Sequence, residues 1–309
     1  MTMKMSLVAV LIWLGGVSCA RPLPMKVELP EAALKPVTID ASKLSKIEAK
    51  AIAGESASQL QLGDYYWYGD SARRSEPVKA FEWYRKASAT EPAAQLMVMI
   101  SLQRGQGTAA APDEAMRLRQ NLAEHRDWFI QNAIAGDARC QWWLGCCYAE
   151  GFWGMKQDLK ESLRMHRMAA VQGYADSEYA IGLACYYGLG VEQDMKQAAQ
   201  FFETAAAKNH IGAAAKLGVC YAGGMGLPRN VERAKYWIQM AAEGGQSESQ
   251  EQLGDMLANP PDKDLIKAMS WYRVSARQGN ASAARKLAIM EATLMKQQMV
   301  QPELPAPSR

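Results

Sequence analysis

Cysteine and histidine are the residues of this sequence best suited to nucleophilic, redox or metal chemistry. A sixth cysteine near the start, Cys19, stands apart from five in the central part of the chain, which are Cys140, Cys146, Cys147, Cys185 and Cys220. The five contain no CxxC pair and have no nearby cluster of histidines, so their spacing argues against a zinc site. Five is an odd number, so at least one thiol stays unpaired, and whether any two of them form a disulfide is left open.

The three histidines, His125, His166 and His210, share no spacing with one another. A catalytic triad or a metal cage needs side chains that converge on one point, so we interpret His166 and His210 as structural. The chain also lacks a P-loop, a GxSxG, an HExxH and a GxGxxG that opens a helix after a strand. The sequence therefore predicts no catalytic residue, no metal site and no cofactor.

Nearly identical octapeptides recur along the chain: LGDYYWYG, LGCCYAEG, IGLACYYG and LGVCYAGG. The glycine of the LG pair, or its equivalent, is found at Gly63, Gly145, Gly182, Gly218 and Gly254. From the second of these onward the intervals are 37, 36 and 36 residues, and a fixed period of this size predicts stacked structural repeats. The longer first interval contains a degenerate copy, in which Met99 replaces the glycine.

When the copies are aligned on that glycine as position zero, several positions contain the same kind of residue in each repeat. We call each such position a column. Position −1 is Leu, Val or Ile, position +3 is mostly Tyr or Leu, and position −5 is always small: Ser58, Ala94, Cys140, Ser177, Ala213, Ser249 and Ala283. Positions four apart stack on one face of an α-helix, which we call helix A of each repeat. Glycine weakens an isolated helix by about 1 kcal/mol relative to alanine, so its recurrence at position zero predicts a close contact that a side chain would block.

A second helix, helix B, follows a GxG or GxP turn, as in Gly188-Leu-Gly190 and Gly224-Met-Gly226-Leu-Pro228. It begins near an acidic residue or Asn and contains an alanine followed three residues later by aromatic or large apolar side chains, such as Ala198 with Phe201 and Phe202. We interpret these aromatic residues as core. Helix B ends in residues that predict left-handed C-terminal caps, namely Gly173, Asn209, Gly245 and Gly279.

The segments LGCCYAEGFWGMKQDLKESLRMHRMAAVQG and LGVCYAGGMGLPRNVERAKYWIQMAAEGG resemble the Sel-1-like repeat (SLR) family, relatives of the tetratricopeptide repeats. The resemblance covers roughly residues 55–297. It implies an all-α fold, an α/α superhelical solenoid of about six helix-hairpin repeats plus a C-terminal capping helix, in which Leu287 and Ala288 replace the LG pair. It also implies a protein-binding scaffold rather than an enzyme.

The chain departs from this family in three places. Exported cysteine-rich SLR proteins pair a helix A cysteine with one on helix B, whereas all five central cysteines here lie on A helices. The second repeat carries ten extra residues, and Trp128 and Phe129 reach the aromatic column only if the segment from Pro112 is longer than usual. This insertion predicts a protruding helix or a kink. In the sixth repeat, Asn259-Pro260-Pro261-Asp262 replaces the GxG turn.

Residues 1–20 have the layout of a signal peptide, with Lys4 before an apolar run from Leu7 to Leu14. Ser18 and Ala20 suit ordinary cleavage before Arg21, and the alternative is a lipoprotein signal in which Cys19 is lipidated. Residues 21–41, which contain four prolines, predict an extended tether, residues 42–300 the solenoid and residues 301–309 a disordered tail. We therefore expect export to the periplasm or cell envelope, with or without a lipid anchor.

Charge argues against a nucleic-acid partner. The formal net charge is +3, and the 35 basic residues are dispersed among 32 acidic ones. A nucleic-acid-binding protein presents a concentrated basic face instead. The 49% of hydrophobic residues suits an ordered chain with a packed core.

A candidate partner-binding surface lies on the A helices at positions −3, +1, +4 and +5, which face away from the core column. We call this set the inner stripe: Leu60, Trp67, Tyr68, Leu96, Ile100, Trp142, Tyr179, Leu183, Tyr186 and Tyr187. Aromatic side chains along the concave face of a solenoid can anchor a protein or peptide. The alternative is that about half of them pack between neighbouring repeats. Two other functions stay open at this point, a cell-wall-active enzyme and a peptidoglycan- or glycan-binding protein.

Overall fold

The computed structural model describes residues 41–68, 76–259 and 263–300, and all regular secondary structure in these ranges is helical. The α-helices are α1 (Ala41–Ile52), α2 (Ser56–Tyr68), α3 (Pro77–Ala87), α4 (Pro92–Arg104), α5 (Pro112–Asn121), α6 (Arg126–Ile134), α7 (Ala138–Glu150), α8 (Leu159–Val171), α9 (Ala175–Tyr187), α10 (Met195–Ala207), α11 (Ile211–Gly223), α12 (Val231–Glu243), α13 (Ser247–Ala258), α14 (Leu265–Arg277) and α15 (Ala281–Val300). Short 3₁₀ helices span Leu122–His125 and Phe152–Gly154. The predicted all-α repeat solenoid is confirmed.

Two compact units make up the chain. Among the described residues, the first contains residues 41–68, 76–213 and 224–228, and the second contains residues 214–223, 229–259 and 263–300. In the first unit, helix A packs on helix B in the pairs α2 with α3, α4 with α5, α7 with α8 and α9 with α10. In the second unit, α13 packs on α14 in the same way, and α15 packs on α14 as the predicted capping helix.

The core follows the columns that the sequence predicts. All seven small residues at position −5 are buried, with no more than 5% of their surface exposed. The residues at position −1 are also buried, from Leu62 in the first repeat to Leu253 in the sixth, whereas Leu287 on α15 is partly exposed. Small and branched side chains in these columns let each helix A approach its neighbours closely.

The recurrent glycine marks the point where helix A meets helix B. A Cβ atom added at Gly182 would lie 2.6 Å from Cε1 of Phe202, and one added at Gly254 would lie 2.6 Å from Cε1 of Tyr272. The helix B residues that occupy this place are Tyr84, His166, Phe202, Ile238 and Tyr272. The predicted close contact is confirmed, and the blocking group is a large side chain of the same repeat.

Both ends of helix B are capped as the sequence predicts. The side chains of Asp158, Asp194, Asn230 and Asp264 each accept a hydrogen bond from a backbone N–H in the first turn of the helix that follows. At the other end, Gly173, Asn209, Gly245 and Gly279 have φ values between 63° and 94°. These left-handed residues turn the chain into the next helix A.

The insertion in the second repeat produces a kink. Helix B of this repeat is replaced by α5, the 3₁₀ helix Leu122–His125 and α6, which follow one another without a loop. Phe129 on α6 is fully buried, as expected for the aromatic column, while Trp128 beside it is partly exposed. The kink adds length to helix B and keeps Phe129 in the core.

No helix in the described residues has the length and apolarity needed to cross a bilayer. Several predictions concern residues outside the described ranges: the signal peptide with Cys19, the tether up to residue 40, Pro260 to Asp262 of the sixth repeat, and the tail 301–309. The tether was expected to extend to residue 41, but Ala41 is the first residue of α1, which packs on α2.

Candidate interaction surface

Half of the inner stripe is buried. Trp67, Leu96, Ile100, Trp142 and Leu183 each have no more than 6% of their surface exposed, so the expectation that they line an open face is wrong. Leu60, Tyr68, Tyr179, Tyr186 and Tyr187 are partly exposed. Only this second group remains accessible to a partner, and its role in binding stays a prediction.

The rings of the two buried tryptophans pack inside the stack, Trp67 on Tyr84 of the same repeat with centroids 6.1 Å apart, and Trp142 on Trp143 and Tyr174. A helices two repeats apart also touch each other in the first compact unit. Arg139 on α7 donates a hydrogen bond from Nη2 to Oδ2 of Asp64 on α2 at 2.5 Å. Arg104 on α4 donates from Nη1 to Oδ1 of Asp176 on α9 at 3.0 Å. The inner side of these repeats is therefore occupied by the protein's own side chains.

Both contacts involve carboxylates with shifted pKa values, of which Asp64 is partly buried and Asp176 is buried. Burial raises the pKa of Asp64 above its usual range, although Arg139 and a hydrogen bond from Tyr84 Oη at 2.9 Å oppose this. Burial also disfavours the charged form of Asp176, but Arg104 and His210 outweigh it and hold the pKa of Asp176 well below its usual range. Each carboxylate is paired with an arginine, as a buried charge requires.

His166 and His210 both have packing roles. His166 takes the place on helix B that Tyr84, Phe202 and Tyr272 take in other repeats, and burial lowers its pKa to about 4. His210 precedes α11, accepts a hydrogen bond from the Ala213 N–H at Nδ1 (3.0 Å) and stacks on Tyr179 with a centroid separation of 4.5 Å. His210 thus serves as an N-terminal cap through its ring nitrogen, in place of the Ser, Thr, Asp or Asn usual there.

The five central cysteines are unbridged thiols. Burial raises the pKa of Cys146 to about 12 and those of Cys185 and Cys220 to about 11, and it raises the pKa values of Cys140 and Cys147 as well. A nucleophilic cysteine needs the opposite shift, because the thiolate is the reactive form. Among the described residues no group of three or more His, Cys, Asp or Glu side chains could hold a metal ion.

A polar pair that joins helix A to helix B recurs in the stack. In the third repeat, Gln172 Nε2 donates to Gln141 Oε1 at 2.9 Å, and in the sixth, Gln278 Nε2 donates to Gln250 Oε1 at 3.0 Å. In the fourth repeat the equivalent residues are charged, and Lys208 Nζ donates to Glu178 Oε1 at 2.6 Å. Comparison of the repeats therefore identifies this ion pair as a replacement for a neutral amide pair.

One aromatic surface was missed by sequence reasoning. Trp153 has φ 59°, a left-handed conformation that costs a non-glycine residue roughly 1–2 kcal/mol. It lies where the second glycine of the GxG turn lies in other repeats, as at Gly190 and Gly226. Its ring packs on those of Phe129, Trp143 and Phe152, with centroids 5.7 to 6.1 Å apart.

We call the partly exposed residues around this turn the turn cluster: Trp128, Phe152, Trp153 and Met155. Arg119 on α5 lies over the Phe152 ring, 4.5 Å from its centroid, and forms an ion pair with Glu150. The insertion of the second repeat therefore supports this cluster from one side. The signal in the sequence was the tryptophan itself, at a position that is glycine in the second, fourth and fifth repeats.

Tandem helix hairpins with a packed core define an α/α repeat protein. The model of the Sel1 repeat matches residues 56–89, 138–174, 175–210, 211–246 and 247–280, more than half of the chain. The protein belongs to the Sel1 repeat family, whose members are generally non-catalytic scaffolds that mediate protein–protein interaction. The kinked second repeat lies outside the matched ranges.

Solved structures show the same fold. The protein c5321, a protective antigen of uropathogenic Escherichia coli strains that displays an SLR fold, is 26% identical with a TM-score of 0.51, over 80% of this chain and 59% of that one. A Sel1 repeat protein from Oxalobacter formigenes is 24% identical with a TM-score of 0.50, over 81% of this chain and 80% of that one. The chain thus spans less than two thirds of c5321. No curated protein matches it.

Proposed function

We propose that the protein is an exported repeat scaffold that binds another protein of the bacterial cell envelope. The observation that carries the binding proposal is the turn cluster, in which a strained tryptophan replaces glycine and exposes part of an aromatic surface. Strained residues concentrate where a protein engages a ligand, and large aromatic side chains dominate the energy of protein interfaces. The family membership supports a protein as the partner.

Tyr186 and Tyr187 at the end of α9 form the second part of the proposed surface. Their rings are in edge contact, with centroids 4.8 Å apart, and both are partly exposed. Tyr186 Oη also lies 3.4 Å from Met225 Sδ in the same compact unit. The tyrosines are therefore held by packing and lose little freedom on binding, which favours affinity.

Affinity capture from an envelope extract tests this function. Trp153→Gly removes the indole ring at a backbone conformation that suits glycine, so the turn should keep its shape. We expect this variant and Tyr187→Ala to lose most of the captured partner, and the matched control Tyr236→Ala, which replaces a tyrosine that is 60% exposed in the second compact unit, to retain it. Unchanged capture by both variants would refute the surface, and binding of the purified protein to isolated sacculi would favour the glycan-binding alternative.

Export is supported by residues 1–20 alone. N-terminal sequencing and intact mass of the protein from a bacterial host distinguish the routes, because ordinary cleavage leaves Arg21 first and lipidation leaves a modified Cys19 first. Cys19→Ala abolishes the second product and leaves the Ser18 and Ala20 cleavage pattern intact. A protein that retains Met1 to Ala20 and stays in the cytoplasm contradicts export.

A further inference from the structure

Counted from the start of helix B, Arg119 occupies the position that covers position zero in the other repeats. There, the residue eight positions after the N-cap of helix B lies against the glycine of helix A: Tyr84, His166, Phe202, Ile238 and Tyr272. In the second repeat the N-cap is Ala111, whose N–H bonds the Leu102 carbonyl, as the N-caps of the other repeats bond their residues at position +3. Helix α5, which follows this N-cap, packs on α4. Eight positions after Ala111 is Arg119.

Position zero of this repeat is Met99 instead of glycine. Met99 is 2% exposed and lies in the core. A glycine leaves room for a ring from helix B, whereas a methionine side chain fills that room itself. The Arg119 side chain reaches the next repeat instead, where it forms an ion pair with Glu150 at the end of α7 and lies over the Phe152 ring.

A chain of contacts leads from Arg119 to the tryptophan of the turn cluster. The guanidinium carbon lies 4.5 Å from the centroid of the Phe152 ring, and that ring packs on the ring of Trp153 with centroids 5.7 Å apart. The side chains of Arg119 and Glu150 are only 15% and 11% exposed, so solvent screens their ion pair weakly. Trp153 has a left-handed backbone, and strain of this kind persists only where the surrounding structure fixes the residue.

We propose that Arg119 is the positioning residue of the turn cluster: it clamps the Phe152 ring and so fixes Trp153 in the orientation that meets the partner protein. Met99 permits this role, because it fills the core beside α5 without the Arg119 side chain. An aromatic anchor that is fixed in advance loses less freedom on binding. This role rests on the proposed function, because the clamp affects binding only if the turn cluster binds.

Fluorine NMR of the full chain labelled with fluorotryptophan measures the clamp without a partner. Trp153→Gly identifies the Trp153 resonance by its loss. Arg119→Gln should shift or broaden this resonance, because the neighbouring ring is no longer held. Arg119→Lys should reverse part of the change, since lysine keeps a cation near the ring but lacks the planar group that stacks on it. The matched control Arg85→Gln, which removes an ion pair with Glu114 and a contact with the Phe81 ring, should leave the resonance unchanged.

A second variant removes the clamp and keeps a contact between helix A and helix B. Arg119→Phe alone should lower Tm, because the new ring and Met99 compete for one place in the core. Met99→Gly with Arg119→Phe recreates the contact of Gly182 with Phe202 in the fourth repeat, so this double variant should have a higher Tm than Arg119→Phe. Its Trp153 resonance should still be displaced, as in Arg119→Gln. A double variant that is no more stable than Arg119→Phe, or a Trp153 resonance that is unchanged in Arg119→Gln, would overturn the inference.

Affinity capture from an envelope extract separates the clamp from the proposed function. We expect Arg119→Gln to capture several-fold less partner and Arg85→Gln to capture as much as the wild type. If Trp153→Gly loses the partner while Arg119→Gln keeps both the partner and the wild-type resonance, the clamp is refuted and the proposed function stands. If Arg119→Gln displaces the resonance while Trp153→Gly and Tyr187→Ala retain the partner, the clamp is supported and the proposed function is refuted.

Discussion

One added methyl group at Gly182 should destabilise this protein, although the same change usually stabilises a helix. Gly182→Ala gains about 1 kcal/mol of helix propensity. The new Cβ would lie 2.6 and 2.7 Å from two carbon atoms of the Phe202 ring and 3.4 Å from the Ala198 carbonyl oxygen. Overpacking of a well-packed core costs typically 1–3 kcal/mol, so we expect a net loss of about 1 kcal/mol.

The Phe202 ring cannot move aside easily. It is fully buried, and the rings of Tyr179 and Tyr186 pack on it with centroids 5.9 and 6.1 Å away. A loss of about 1 kcal/mol corresponds to a decrease of about 2–4 °C in Tm for a unit of this size. Thermal and urea unfolding followed by circular dichroism measure both quantities.

A double-mutant cycle with Phe202→Leu isolates the contact. Leucine removes the ring edge that blocks the methyl group, so Gly182→Ala in this background should become neutral or stabilising by up to about 1 kcal/mol. A Gly182→Ala variant as stable as the wild type, or the same effect in both backgrounds, would refute the argument that ring packing selects glycine in this column.

Two further changes test the buried polar groups. Burial lowers the pKa of His166 from 6.5 to about 4, so the unfolded chain binds the proton more readily than the native state. The free energy of unfolding should therefore decrease by about 3 kcal/mol as pH falls from about 6.5 to 4. His166→Phe should remove this decrease, and urea midpoints that shift equally with pH in both proteins would contradict the argument. Lys208→Gln alone should lower the free energy of unfolding by about 1–2 kcal/mol, because it leaves the Glu178 carboxylate buried without its cation. The double variant Lys208→Gln with Glu178→Gln should regain most of that stability, because it recreates the amide pair of the third and sixth repeats. Equal Tm values for the single and double variants would argue against the replacement.

Much of the fold could be predicted because a repeat presents each structural position several times. The sequence repeats a small residue at position −5 seven times, and it repeats the glycine at position zero. Both residue types are set by local packing, which depends only on the hairpin. The caps Asp194 and Asn209 are equally local, since each acts within a few residues of its own helix end. The kink of the second repeat followed from its ten extra residues.

The candidate surface was harder to predict, because it depends on contacts that the period does not encode. Position −6 holds Arg139 in the third repeat and Asp176 in the fourth, and both side chains reach back two repeats. A sequence period identifies neighbouring repeats but not the curvature that brings alternate ones together. Trp67 and Trp142 were expected on an open face and are buried, because their rings pack on Tyr84, Trp143 and Tyr174.

These long-range ion pairs affect how the first compact unit should respond to a partner. In most repeat arrays each repeat contacts only its neighbours, so stability is a sum of local terms and the stack can open one repeat at a time. Here Asp64 with Arg139 and Arg104 with Asp176 couple repeats one to three and two to four. The four repeats should therefore open together, and the turn cluster and the tyrosines of α9 are carried on one cooperative block. A surface of this kind is ordered before its partner arrives, so binding incurs less of the entropic cost of ordering.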